Sequence, residues 1–202
     1  MPSLVTKTTP DFITLISSRI VATGNVQAAS QTLDLREAPG AWIRGFMGRA
    51  STGTPVRAGY FHIAPTDNNT DIIPVSMFDM VGQGPTTAAQ LGSLSANLST
   101  SDRVISLSAT TSFSVGDTVC IFNSDASLAQ WNRIAFGATT AWRTQRTHRV
   151  LNLTGHSVTN LADVRQVWIP GGDIYEFSFV NESSIPYVVQ LLAVVDKGET
   201  IT

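Results

Sequence analysis

VWIPGGDIYEFSFV, residues 167–180, decides the fold class. β-Branched and aromatic residues crowd both sides of Gly171 and Gly172, and Tyr175, Phe177 and Phe179 alternate with Glu176 and Ser178. Successive side chains of a strand point to opposite faces, so the three aromatics share a buried face while Glu176 and Ser178 share a wet one. Adjacent glycines supply the positive φ of a tight primed turn, and the spacing therefore predicts a hairpin. Downstream, YVVQLLAVV at residues 187–195 is apolar on both faces and reads as a central or twice-covered strand that closes the core.

The same texture runs outward along the chain. Short runs rich in Val, Ile, Phe and Tyr, separated by Gly, Pro, Asn, Asp and Ser, predict strands over 13–23, 31–35, 41–48, 57–63, 72–81, 103–109, 118–123, 133–136, 148–153, 164–169, 174–180 and 186–195. This is an all-β chain, with the strand spacing of sandwiches and small barrels. Between 82 and 102 the composition turns small and polar, GQGPTTAAQLGSLSANLSTSD, which reads as a linker with a short helix at Ala88 to Leu91. A new strand series opens at Arg103, around a Val115-Gly116-Asp117 turn that leaves Phe113, Val115, Val119 and Ile121 as core. The expected organisation is a discontinuous β-sandwich over 1–98 and 164–202, interrupted by a small β-barrel over 101–163.

Composition narrows the function. The 202 residues include 20 Ser and 24 Thr, 43% are hydrophobic and 14% charged, against roughly 25% charged in ordinary soluble domains. Such a chain can bury a core and is not a disordered tail. A net charge of −2 supplies no positive field for a phosphate backbone, so nucleic acid is not an expected partner. No run approaches the roughly 18 apolar residues of a membrane span, so no membrane is expected either. The opening MPSLVTKTTPDFITLISSR lacks a secretory pattern, and synthesis in a cytoplasm is expected. One cysteine excludes an internal disulfide, and the three histidines do not have zinc-site spacing.

Motifs that carry catalysis are missing: there is no G-x-S-x-G, H-E-x-x-H, Walker loop or G-x-G-x-x-G. The expectation is no enzyme, no cofactor and no metal. Asp67, Asn69 and Asp71 begin like a calcium loop, but Ile72 stands where that loop needs Gly and Phe78 where it needs Glu, which leaves a solvated turn. Cys120, inside the apolar run VCIF, reads as a small buried hydrophobe. The four tryptophans invite a carbohydrate reading through ring stacking, but Trp42 and Trp168 lie in strands and are expected in the core.

WRTQRTHR, residues 142–149, is the one basic cluster. The plain reading is a solvated strand-and-loop face; as a functional site, Trp142, Arg143, Arg146, His148 and Arg149 suit a phosphate, an acidic sugar or a neighbouring acidic subunit. Subunit contact is the favoured functional reading, because no wider positive field surrounds the cluster.

Two segments resemble virion proteins of tailed bacteriophages. Residues 41–68, AWIRGFMGRASTGTPVRAGYFHIAPTDN, are similar to the strand, Gly-Arg-x-x-Thr, strand core of small jelly-roll-like phage structural proteins, including cement or decoration subunits. Residues 103–158 resemble a barrel module inserted in phage proteins, with Phe113-x-Val115-Gly116-Asp117-x-Val119, then Arg133-Ile134 and a late Gly155-x-x-Val158. The resemblance covers under half of the chain. It implies a jelly-roll-like sandwich carrying a small inserted barrel, located in the virion, on the phage head, after synthesis in the host cytoplasm. It implies a homotrimeric capsid cement protein whose partners are the major capsid protein and copies of itself. A tail, neck or receptor-binding component contacting a host surface glycan is the alternative. Residues 1–10, without a core pattern, are expected to reach a neighbouring subunit.

Overall fold

The computed structural model describes residues 5–7, 11–51, 59–67, 71–72, 76–79, 91–98, 100–101, 103–148, 157–197 and 199–201. These residues form strands and no helix. Eight strands come first: β1 (Val5–Lys7), β2 (Asp11–Val21), β3 (Val26–Ala28), β4 (Leu33–Asp34), β5 (Gly40–Arg49), β6 (Gly59–Asp67), β7 (Asp71–Ile72) and β8 (Ser76–Asp79). Five follow in the middle of the chain: β9 (Leu91–Ser93), β10 (Val104–Ser106), β11 (Thr118–Phe122), β12 (Ala129–Ala138) and β13 (Ala141–Thr144). The last four are β14 (Ser157–Pro170), β15 (Ile174–Asn181), β16 (Tyr187–Asp196) and β17 (Glu199–Ile201).

One sheet runs β2-β16-β5-β14; the other runs β3-β15-β6-β7, with β4 also on β15 and β8 also on β6, and every pairing is antiparallel. Counting β3/β4 and β7/β8 each as one interrupted position, early and late strands interleave in both sheets as in an eight-position jelly roll. Alternation supplies the filling. Leu15, Ile43, Met47, Val189, Leu191 and Ala193 point inward from the first sheet and meet Leu33, Phe61, Ile63, Tyr175, Phe177 and Phe179 from the second. Each of the larger of these side chains contributes about 1.5–3 kcal/mol by leaving water, and Ala193 less. β16 is central, as its two-sided apolar pattern predicts, and Tyr175, Phe177 and Phe179 are buried while Glu176 is exposed.

The fold corrects the reading of residues 167–180. β14 and β15 do not pair; they belong to opposite sheets, and residues 171–173 carry the chain from one layer to the other. The two glycines serve different needs. Gly172 has φ +103°, whereas a Cβ on Gly171 would collide with the Ala38 carbonyl oxygen, so only glycine fits against that backbone. The Tyr175 hydroxyl donates to the Pro170 carbonyl at 3.0 Å and braces the turn.

The middle strands extend the first sheet and curl it. From β14 the order continues β11-β12-β13-β10, while β9 also pairs with β14. Leu94 bridges Leu107, with Ser95 N donating to Ser106 O and Ser108 N to Ser93 O, both at 2.9 Å, so β10 returns to β9 and the strand circuit closes. Leu94, Leu98, Ile105, Leu107, Phe113, Val119, Ile121, Ile134, Trp142 and Val158 fill this small barrel.

β14 serves both units. Its Ser157–Asn160 stretch pairs with β11 and its Leu161–Pro170 stretch with β5, so the division expected at 163/164 falls inside one strand. Cys120, Phe122 and Ala126 of the barrel pack on Val188 of β16, covering the second apolar face of that strand.

Other expectations shift as well. Leu91–Ser93 is strand β9 rather than helix or linker, because Leu94 and Leu98 are needed in the barrel core; 88–90 lie outside the described residues. Val115 is exposed at the tip of its turn, where Gly116 takes φ +95° and Asp117 accepts the Ser114 N–H at 2.9 Å. His148 lies outside any strand, and 149–153 are not described. β1 pairs with β17 of its own chain, Val5 opposite Ile201, so this part of the amino-terminal arm is engaged at home.

Candidate functional site

Among the described residues the basic cluster does not converge. Strand alternation on β13 turns Trp142 inward, leaving it 5% exposed in the barrel core, edge-on to Phe113 at 5.8 Å. Its indole N–H lies 3.1 Å from Thr111 Oγ1 and 3.2 Å from the Thr139 carbonyl, so the ring is a structural post and no partner contact. His148 is buried too. Arg143 and Arg146 remain at the surface, and Arg149 lies outside the described residues. Arg143 sits over the exposed Phe136 ring, 5.6 Å from its centroid.

Arg146 instead joins residues the linear cluster does not contain. A groove of about 220 Å³ at the junction of barrel and sandwich is lined by Phe46, Thr118, Trp131, Asn132, Arg133, Gln145 and Arg146. Phe46 on β5 and Trp131 on β12 stack at 5.4 Å with 28° between planes, and the Trp131 indole N–H donates to Gln190 Oε1 at 2.7 Å. Buried Asn132 holds the turn after β13: its Nδ2 donates to the Arg146 carbonyl at 2.8 Å, and its Oδ1 accepts the Arg146 N–H at 3.2 Å and the Arg133 N–H at 2.9 Å. Arg133 Nε donates to the Gly116 carbonyl at 2.8 Å. Arg133 lies opposite Thr118 across the β11–β12 pair, a placement that the register shows and the linear sequence does not.

The outer face of the first jelly-roll sheet is the second surface. Phe12, Val194, Trp42 and Trp168 fall in one cross-strand register row over β2, β16, β5 and β14. Phe12 is 72% exposed, Trp42 42% and Trp168 37%, and the two indoles meet edge to face at 5.4 Å. The expectation that these tryptophans lie in the core is therefore overturned. On β5 the inward positions go to Ala41, Ile43 and Met47, and Trp42 shares its face with exposed Arg44. That shared parity with a charge was the legible signal. Gly40 keeps the ground under Trp168 clear, since a Cβ there would strike the indole.

A larger open cavity, about 620 Å³, is lined by Asp34, Arg36, Glu37, Ala38 and Lys197. Its charges are largely matched: Arg36 and Asp34 pair at 2.6 Å, and Lys197 meets Asp11 at 2.8 Å. Hydrogen bonds from the Arg36 side chain and backbone, with a smaller contribution from its charge, hold the Asp34 carboxyl down at about 2. Cys120 is fully buried, as expected, and burial pushes its thiol well up. No group of three or more His, Cys, Asp or Glu converges among the described residues, and of the calcium-like triplet Asp67 and Asp71 pair across β6 and β7 while Asn69 is not described.

No family model matches the chain. No curated protein matches it either. Among solved structures the chain is similar to one described as the structure of infectious bursal disease virus, Gx strain, at 9% identity and a TM-score of 0.10, covering 98% of this chain and 78% of that one, a likeness too slight to carry an argument.

Proposed function

We propose that this chain is a bacteriophage virion structural protein, a cement subunit that assembles as a homotrimer and clamps neighbouring major capsid subunits on the phage head. The observation that carries the reading is the Phe12–Val194–Trp42–Trp168 row. Three aromatic side chains left exposed in one row across a sheet face are costly in water and suit burial against protein, where aromatic side chains supply much of the binding energy. The next row on the same face, Thr14, Leu192, Arg44 and Gln166, gives a mostly polar rim with a single charge to desolvate. The jelly-roll order adds support, since this fold recurs in viral shells, though it recurs in lectins and cupins too. Arg143 and Phe136 offer a second contact at the barrel surface.

Adding purified chain to phage heads that lack it tests the proposal. The wild-type chain should sediment with the heads and raise their resistance to heat, and Trp42→Ser with Trp168→Ser should weaken both effects. Wild-type chain that stays in the supernatant, or a variant that binds equally well, would overturn it.

A further inference from the structure

The groove between barrel and sandwich offers a different chemistry from the apolar row. We propose that it binds one anionic sugar residue, a uronic or sialic acid unit of a surface polysaccharide, with the ring against Trp131 and Phe46 and the carboxylate toward Arg133 and Arg146. The inference rests on the groove alone and stands or falls separately from the capsid reading.

Charge comes first. Two guanidinium groups line the groove and no carboxylate does among its described residues, although the chain as a whole carries a net charge of −2. A locally positive site on a weakly negative protein selects an anion. Arg133 is aimed by its Nε bond to the Gly116 carbonyl, which uses one of the five N–H donors of a guanidinium. The planar fork matches a carboxylate.

Rigidity comes next. The Asn132 side chain binds the backbone N–H groups of both arginines and the carbonyl of Arg146, so a single buried amide sets the positions from which both side chains depart. The Trp131 ring is pinned by its stack on Phe46 and its bond to Gln190. The aromatic wall and the backbone under both arginines are therefore set before binding, and the exposed Arg146 side chain is what a ligand has to order.

The remaining lining distinguishes the ligand class. A pyranose presents a flat face of C–H groups to an aromatic wall, hydroxyls to an amide and a hydroxyl, and, if acidic, a carboxylate to the arginines. Trp131 with Phe46, Gln145 with Thr118, and Arg133 with Arg146 supply these three needs in one groove. A partner protein's Asp or Glu would use only the last pair. The volume of about 220 Å³ is below the roughly 300 Å³ at which drug-sized pockets begin, which suits one ring and excludes deep burial of a longer ligand.

The test is an NMR titration of the full chain, following the Trp131 indole N–H, assigned through Trp131→Phe. The probes are sodium glucuronate and N-acetylneuraminate, compared with glucose, the methyl ester of glucuronic acid, acetate, and a short blocked peptide containing Glu. The acids should shift the Trp131 signal saturably, the neutral sugars should not, and Arg146→Gln should weaken binding about tenfold, the loss of one charge-assisted contact. Arg146 holds its neighbours through backbone atoms, so this variant keeps the turn; Arg133→Gln removes the second charge independently. No saturable shift with either acid overturns the proposal. So does equal binding of glucose, or a shift with acetate or the Glu peptide as strong as with the sugar acids, which would mark a simple anion or protein contact.

Discussion

The Trp131 indole N–H donates to Gln190 Oε1 at 2.7 Å and ties β12 of the barrel to β16, the central strand of the sandwich, 59 residues further on. With Val188 packed under Cys120, Phe122 and Ala126, it makes the two units share one wall. Gln190→Leu should lower stability by about 1–2 kcal/mol, the cost of an orphaned half-buried donor, with little change in the slope of a urea melt. A variant as stable as the wild type would mean that the indole finds another partner.

Excising residues 91–156 and joining the ends with a short Gly/Ser linker removes β9 to β13 and keeps all of β14. The jelly-roll core draws none of its buried residues from that segment, so the remainder should still unfold in one cooperative transition, at a lower midpoint because Val188 loses its cover. Loss of cooperativity would show that the sandwich depends on the barrel.

Much of this architecture was legible from period-two alternation. Tyr175, Phe177 and Phe179 declared their buried face, and YVVQLLAVV its central place, because burial on one or both faces leaves a local record. Whether two neighbouring strands pair or face each other across a core leaves no such record. Gly171 and Gly172 look alike in a hairpin and in a turn between layers, and the difference lies with Ala38, more than 130 residues away. The groove was illegible for the same reason: Phe46, Trp131, Arg133 and Arg146 come from three separate stretches and meet only once the barrel register is set. Lying in a strand does not by itself bury Trp42, and the parity it shares with Arg44 puts it on the outer face.

Buried Asn181 is a hinge-pin of the turn that follows β15. Its Nδ2 donates to the Val21 carbonyl at 2.9 Å and the Ile185 carbonyl at 3.0 Å, and its Oδ1 accepts the Ser183 N–H at 3.0 Å. Asn181→Ala removes one partner from each of these groups in a fully buried site, although Ser183 Oγ still donates to the Ile185 carbonyl at 2.8 Å, and should cost about 2–3 kcal/mol in a denaturant melt. A loss under about 1 kcal/mol would mean that water replaces the amide.

Asp34 gives the stability a defined pH dependence. Its carboxyl is lowered from 3.8 to about 2 in the folded chain, so the pair with Arg36 stabilises fully above 3.8 and is lost as pH falls through about 2. Asp34→Asn should therefore be slightly less stable than the wild type at neutral pH and equal to it below pH 2. The effect is small because both side chains are more than half exposed. A difference that grows on acidification would contradict the assignment.

Cys120 is a probe of opening. Fully buried and with its thiolate disfavoured by that burial, it should react with an aromatic disulfide reagent only when β11 is released. Its labelling rate should rise with urea in parallel with unfolding. Rapid labelling in native buffer would show that the barrel opens on its own.

Electron cryomicroscopy of phage heads assembled in the presence of this chain tests the proposed cement role. Density is expected over the whole shell at symmetry axes, fitted by three jelly rolls with the Phe12, Trp42 and Trp168 face against capsid subunits. Density confined to one vertex, or a particle without the chain, would contradict it.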